Sequence, residues 1–257
     1  MIIALLTDFG AKDYFVGAMK GVIWQTNENA KIVDITHEIE PQSINSASFN
    51  LRACYRNFPK KTIFVAVVDP GVGSDRRAIL VETADYYFIA PDNGLLNFVF
   101  DETADFRVIE ITNENFFNKP ISKTFHGRDI FAPVAAHLSK GVKPEEFGDE
   151  IADFVVLKEI KPRKISENEI EAQIIHIDHF GNIVTNFTKQ DLPENFYLEI
   201  SNQRVEKMKT FYAEAEKDEV FMIFGSAGLL EIVAFQNSAQ KILNVRNGDK
   251  FKALVIN

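Results

Sequence analysis

The feature that most constrains how this chain can fold is an alternation. Between residue 2 and about residue 140, short apolar, mostly β-branched runs give way repeatedly to segments of helical period, and beyond about residue 165 they no longer do. Ile2 to Phe9 reads as a strand, and Asp13 to Gln25 sets Phe15, Met19, Val22 and Ile23 on one helical face. Lys31 to Thr36 is a second strand. Ser43 to Arg56 reads as a helix with Ser43 as a possible cap, and Thr62 to Val68 as a strand ending at Asp69-Pro70-Gly71. Ala78 to Pro91 reads as two strands around Ala84-Asp85, with further helices over Gly94 to Phe100 and Asp129 to Lys140. This order implies an α/β domain, a mainly parallel sheet covered by helices, whose ligands sit at the carboxyl ends of its strands.

The charged, proline-containing stretch Glu159 to Lys164 reads as a linker, so the expected domains are residues 1–160 and 161–257. Beyond it come short strands broken by turns: Glu169 to Ile177, Ile183 to Phe187, Phe196 to Ser201, Glu219 to Phe224, Leu230 to Ala234 and Phe251 to Ile256. That pattern predicts a smaller antiparallel β domain.

Composition narrows the function. A single cysteine, Cys54, excludes an internal disulfide framework and fits a reducing compartment, with the cytoplasm as the default. The opening MIIALLTDFG has no basic stretch and reads as a strand, not as a signal peptide, and no apolar run approaches a membrane span. A formal net charge of -9 argues against nucleic-acid phosphates as partners and is compatible with a cationic substrate.

Three strand ends carry polar groups: Thr7-Asp8, Thr36-His37, and the glycine-rich Asp69 to Ser74 followed by Arg76 and Arg77. Each has a plain structural reading. Asp8 serves equally as a turn cap, His37 as a satisfied structural histidine, and Arg76 as a surface cation. The loop after Asp69 lacks the Lys-Ser/Thr pair of a phosphate-binding loop. A fourth cluster, Phe125 to Phe131, holds His126 beside Gly127, with Asp129 placed to cap the helix that follows. An aspartate, an arginine and a histidine converging from separate strand ends would position and activate water. In the second part, Asp178 to Asn182 and Phe224 to Gly228 read as hairpin turns. A metal site at His176, Asp178 and His179 is the weaker reading, because residues 176 and 178 face one side of a strand and 179 the other.

With these segments in view, the sequence resembles the S-adenosyl-L-methionine (SAM) hydroxide adenosyltransferase family, relatives of the fluorinase and chlorinase. The likeness rests on Thr7 to Gly10 with Asp13 and Gly17, Asp69 to Arg77, Pro91 to Leu95, Phe125 to Asp129, Asp178 to Asn186 and Gly225 to Gly228. It implies an α/β N-terminal domain, a C-terminal β-barrel-like domain, and a homotrimer with active sites between the N-domain of one subunit and the C-domain of its neighbour. It implies hydrolysis of SAM to adenosine and L-methionine without a cofactor or metal, with Asp69, Arg76 and His126 activating the water. Asp8 resembles the ligand of the ribose hydroxyls. Asn182 resembles a nucleoside contact and Ser226 a methionine contact, Asp178 a partner of the methionine ammonium, and Phe180 and Phe211 faces for adenine. Glu231 and the backbone of Ala234 are expected at the adenine edge, and His37 is expected beside the substrate. The halogenating relatives have a serine where this chain has Gly127, which favours water over halide. Two rivals stay open at this stage: a non-catalytic adenosine or SAM sensor using the same groups, and a metal-dependent hydrolase built on Asp8, His37 and His126.

Overall fold

The computed structural model describes residues 1–158 and 160–256; Glu159, the first residue of the expected linker, lies outside them. The chain divides into two compact units, Met1–Leu157 and Lys158–Asn257.

The first unit is built on strands β1 (Ile2–Thr7), β2 (Lys31–Thr36), β3 (Ile63–Val67), β4 (Ala78–Thr83), β5 (Tyr87–Pro91) and β6 (Phe106–Glu110), in the sheet order β2-β1-β3-β5-β4-β6. Its helices are α1 (Phe15–Thr26), α2 (Ile44–Cys54), α3 (Asn97–Glu102) and α4 (Ala132–Ser139). The side-chain alternation of a strand sorts the core. Ile3, Leu5, Ile63 and Val65 turn to the face covered by α1 and α4, where Met19, Ile23, Val134 and Ala135 meet them. Ala4, Leu6, Phe64 and Ala66 turn to the other face, under Ala47 and Leu51 of α2 and Phe98 of α3.

The sheet is mixed: it is parallel across β2, β1, β3 and β5, and β4 alone runs against the other strands, antiparallel to both β5 and β6. The cause is local: residues 84–86 alone separate β4 from β5, whereas a parallel connection needs a dozen or more. Helix ends also differ from the periodicity reading. Ser43 precedes α2 without making a side-chain cap, and the expected helix from Asp129 begins only at Ala132, after a π-turn over Gly127–Phe131.

The second unit contains β7 (Arg163–Ser166), β8 (Glu169–Ile177), β9 (Ile183–Thr188), β10 (Phe196–Ile200), β11 (Gln203–Val205), β12 (Val220–Phe224), β13 (Leu229–Ala234) and β14 (Lys250–Val255), with the short helix α5 (Ala239–Leu243). Its strands are antiparallel neighbours in the order β11-β10-β14-β8-β9-β13-β12, with β7 beside β8. The chain just after β11 then meets the far edge: Met222 N donates to Lys207 O (2.8 Å) and Lys209 N to Met222 O (3.0 Å). The sheet is thereby nearly closed into a barrel around Ile174, Phe187, Leu198, Met222, Leu230 and Phe251. No helix among the described residues is long and apolar enough to cross a membrane.

Candidate active site

Because β2, β1 and β3 are adjacent and parallel, the groups that follow them, His37, Asp8 and Asp69, emerge at one end of the sheet. Arg76 reaches the same end by a different route. It stands two residues before the first residue of β4, and the start of β4 lies beside the end of β5, where Ala78 pairs Pro91. The reversal of β4, which the sequence reading did not foresee, therefore returns Arg76 to Asp69.

Arg76 Nε donates to Asp69 Oδ1 at 2.9 Å and Nη2 donates to Asp69 Oδ2, so the pair is bidentate. Nη2 also donates to His126 Nδ1 at 2.8 Å, and the guanidinium lies 5.3 Å from the centre of the Phe131 ring. The side chains of Arg76 and Asp69 are only 11% and 5% exposed, which makes this an enclosed ion pair and not a surface contact. Arg77 points elsewhere. It binds Asp92 (3.1 Å) and Asp153 (2.8 Å) and ties the end of this unit to the β5 turn.

One of the two loop glycines, Gly73, has a clear reason. It holds φ +77°, and a Cβ there would lie 2.1 Å from the carbonyl oxygen of Lys123. The loop carrying Asp69 and Arg76 thus rests directly on the segment that leads to His126. Gly73→Ala is expected to destabilise the protein by about 2–4 kcal/mol, combining overpacking with a left-handed non-glycine backbone, and to lower activity through the displaced loop. Urea unfolding checks this, and an unchanged midpoint would remove the packing argument.

His126 stands at the head of the π-turn, a wide turn of the kind that recurs at functional sites. Gly127 leaves room there for Met19 Sδ and a Phe9 ring carbon, each of which would lie 3.2 Å from an added Cβ. Burial and then the charge of Arg76 push the His126 pKa below its ordinary value. Guanidinium nitrogens only donate, so His126 Nδ1 must accept, and the neutral ring carries its proton on Nε2. Asp129 does not cap α4. Its fully buried carboxylate accepts from Arg128 Nε (2.6 Å) and Nη2 (2.9 Å), Ser122 N (2.8 Å) and Asn118 Nδ2 (3.0 Å), pinning the excursion before His126. Burial opposes its charge, but these donors prevail and hold its pKa below the ordinary value.

Asp8 Oδ2 accepts from Gln42 N at 2.8 Å. The His37 side chain is 10% exposed, Nδ1 lies 2.9 Å from Thr7 Oγ1, and Nε2 lies 3.1 Å from Asp34 Oδ1. The contribution of Asp34 was missed, although the Asp-x-x-His spacing at 34 and 37 was visible in the sequence.

In the second unit, Asp178 organises the β8–β9 hairpin. Its Oδ1 accepts from Phe180 N (2.9 Å) and Asn182 N (2.8 Å), and its Oδ2 from Asn182 Nδ2 (2.8 Å). Gly181 lets this turn sit against Ser238, 2.0 Å from the hydroxyl oxygen measured from an added Cβ. Phe180 and Phe211 are exposed, at 74% and 55%, so neither is a core residue. Ser226 is exposed in the β12–β13 turn, and Gly225 in the same turn lies under the Glu231 carboxylate. Burial, then the charge of Asp178, raises the pKa of Glu231; burial, then Glu231 and Asp178, raises that of Tyr212, a neighbour the sequence did not single out. Ala234 is buried at the end of β13, and its carbonyl accepts from Asn237 N at 3.4 Å. His179 packs against the Phe180 ring, and no group of three His, Cys, Asp or Glu side chains among the described residues is arranged to hold a metal.

The fold and the cluster define an α/β protein with a second, barrel-like unit and an enclosed Asp–Arg–His centre at its strand ends. The family models for the SAM hydroxide adenosyltransferase N-terminal and C-terminal domains match residues 3–148 and 172–252. An (R)-S-adenosyl-L-methionine hydrolase from Methanocaldococcus jannaschii is 37% identical, over 98% of this chain and 95% of that protein. A fluorinase from Nocardia brasiliensis is 27% identical over 74% of this chain and 72% of its own length. The crystal structure of an uncharacterized conserved protein from Thermotoga maritima superposes with a TM-score of 0.89 at 37% identity, covering 98% of this chain and all of the other. The chain belongs to the SAM hydroxide adenosyltransferase family.

Proposed function

We propose that this protein hydrolyses SAM to adenosine and L-methionine by in-line attack of water on the ribose C5′. The observation that carries the reading is the convergence of Asp69, Arg76 and His126, three polar groups enclosed together at the strand ends. The new bond forms between the water oxygen and C5′, while the C5′–S bond breaks and its electron pair returns to sulfur. The leaving group is a neutral thioether, so no acid has to protonate it. Only the water needs help.

The hydrogen bonds support a division of parts. Arg76 is a permanent cation that only donates, and His126 has its Nδ1 occupied and offers a proton from Nε2; both therefore favour a hydroxide-like oxygen. Asp69 alone keeps lone pairs to accept the proton the water loses, which then passes to solvent. Asp8 holds the ribose hydroxyls. Asp178 and Ser226 hold the amino-acid end, and Asn182, Phe180, Phe211, Glu231 and the backbone of Ala234 hold the nucleoside. A homotrimer and a cytoplasmic setting belong to the same proposal and are supported by the family likeness and the lone cysteine.

The test is to incubate the protein with SAM in metal-free buffer made with oxygen-18 water and to follow products by mass spectrometry. The expected result is adenosine labelled at its 5′ oxygen with equimolar methionine. Intact SAM held tightly by the protein would replace hydrolysis with the sensor reading.

A further inference from the structure

His37 is nearly as enclosed as Asp69 and Arg76 but lies outside their cluster, and its bonds show what it can do. Thr7 Oγ1 accepts from Phe9 N at 3.2 Å and has one proton to give; His37 Nδ1, 2.9 Å away, is placed to receive it. The imidazole proton then sits on Nε2. That nitrogen is buried, faces Asp34 Oδ1 at 3.1 Å without the alignment of a hydrogen bond, and has no other partner among the described residues. Asp34 is itself held by Lys20 Nζ through Oδ2 at 2.6 Å. The backbone repeats the tie, since Gly10 N donates to the His37 carbonyl at 2.7 Å. Residues 7–10 are therefore stitched to His37 at two points, and Asp8 lies between them, with its carboxylate on Gln42 N.

We infer that His37 is a positioning residue for SAM: it fixes the Thr7–Gly10 turn, and through that turn the direction of the Asp8 carboxylate toward the ribose hydroxyls. It does not touch the substrate. The inference rests on the proposed hydrolysis and on the ribose role of Asp8. A ribose contact is made in the bound substrate and in the transition state alike, so loosening it weakens binding and leaves the chemical step nearly unaltered.

The test measures steady-state methionine release and, separately, adenosine binding by calorimetry, on the full chain. His37→Gln keeps a polar group near Nε2 but deprives the Thr7 hydroxyl of its acceptor. It is expected to raise KM for SAM and Kd for adenosine roughly tenfold, the scale of one lost hydrogen bond to a buried group, with a much smaller change in kcat. His37→Asn, whose Oδ1 overlies Nδ1, is expected to recover most of that loss. Thr7→Val removes the same bond from its other side and should reproduce the His37→Gln values, even where the glutamine variant does not fold. Unchanged KM and Kd in His37→Gln and Thr7→Val would overturn the inference, as would a loss confined to kcat or an asparagine variant no better than the glutamine one. A wild-type protein that releases no methionine would instead remove the proposed reaction, and the adenosine titration would still decide the role of His37.

Discussion

Arg76→Ala is expected to lower the rate of methionine release by about 100- to 10,000-fold, the range associated with losing the group that activates a nucleophile. The loss should fall on kcat, because the guanidinium acts on the attacking water and not on adenosine or methionine. Arg76→Lys is not expected to rescue it. One ammonium cannot donate along both Asp69 oxygens and to His126 Nδ1 as the planar guanidinium does. The substitution also leaves Asp69, 5% exposed, as an enclosed charge without its partner, so a stability loss of about 3–5 kcal/mol should accompany it. A paired Asp69→Ala and Arg76→Ala variant separates the two effects: removing both charges should return much of the stability and none of the turnover. Turnover within a few-fold of wild type in the Arg76→Ala protein would remove the proposed centre.

A large effect on stability, away from the reacting groups, is expected at Asp129. Its carboxylate is fully buried and answers four donors from Arg128, Ser122 and Asn118. Asp129→Ala strands the Ser122 N–H and the Asn118 amide, and releases Arg128 toward the solvent it partly meets already. A destabilisation of about 3 kcal/mol follows, at the lower end of broken buried pairs because the surviving cation can reach water. Asp129→Asn should cost less than alanine, since its oxygen still answers some of the donors. Denaturant midpoints measure both. An alanine variant as stable as the asparagine one would show that the donors find other partners.

Much of this molecule was legible in the sequence, for reasons that differ by element. The strands β1, β3 and β5 are runs of buried apolar residues, and α1 shows its apolar face at helical spacing; both patterns act within a few residues. The direction of β4 was not read, although Ala84-Asp85 had been identified as the break between two strands. So short a connection already requires a hairpin, and with it a mixed sheet. β6 was missed because Phe106–Glu110 carries charges at two of its five positions and resembles a loop. The site divides in the same way. Asp69, Arg76 and His126 were found from motif likeness, and the geometry brings them together. Arg77 is told from Arg76 in the sequence only by the family likeness, and it binds Asp92 and Asp153 because successive residues here point in different directions. Periodicity does not reveal that Thr7 and Asp34 flank the His37 ring.

The reversal of β4 also bears on how the centre comes into being. Asp69 and Arg76 are seven residues apart on one excursion of the chain, so their clasp closes a short loop at little entropic cost. His126 is fifty residues beyond Arg76 and joins only when the segment pinned by Asp129 docks beneath Gly73. The charged half of the centre is thus a local structure and the imidazole a late arrival. In a refolding experiment, the ion pair should be in place before the histidine that completes it.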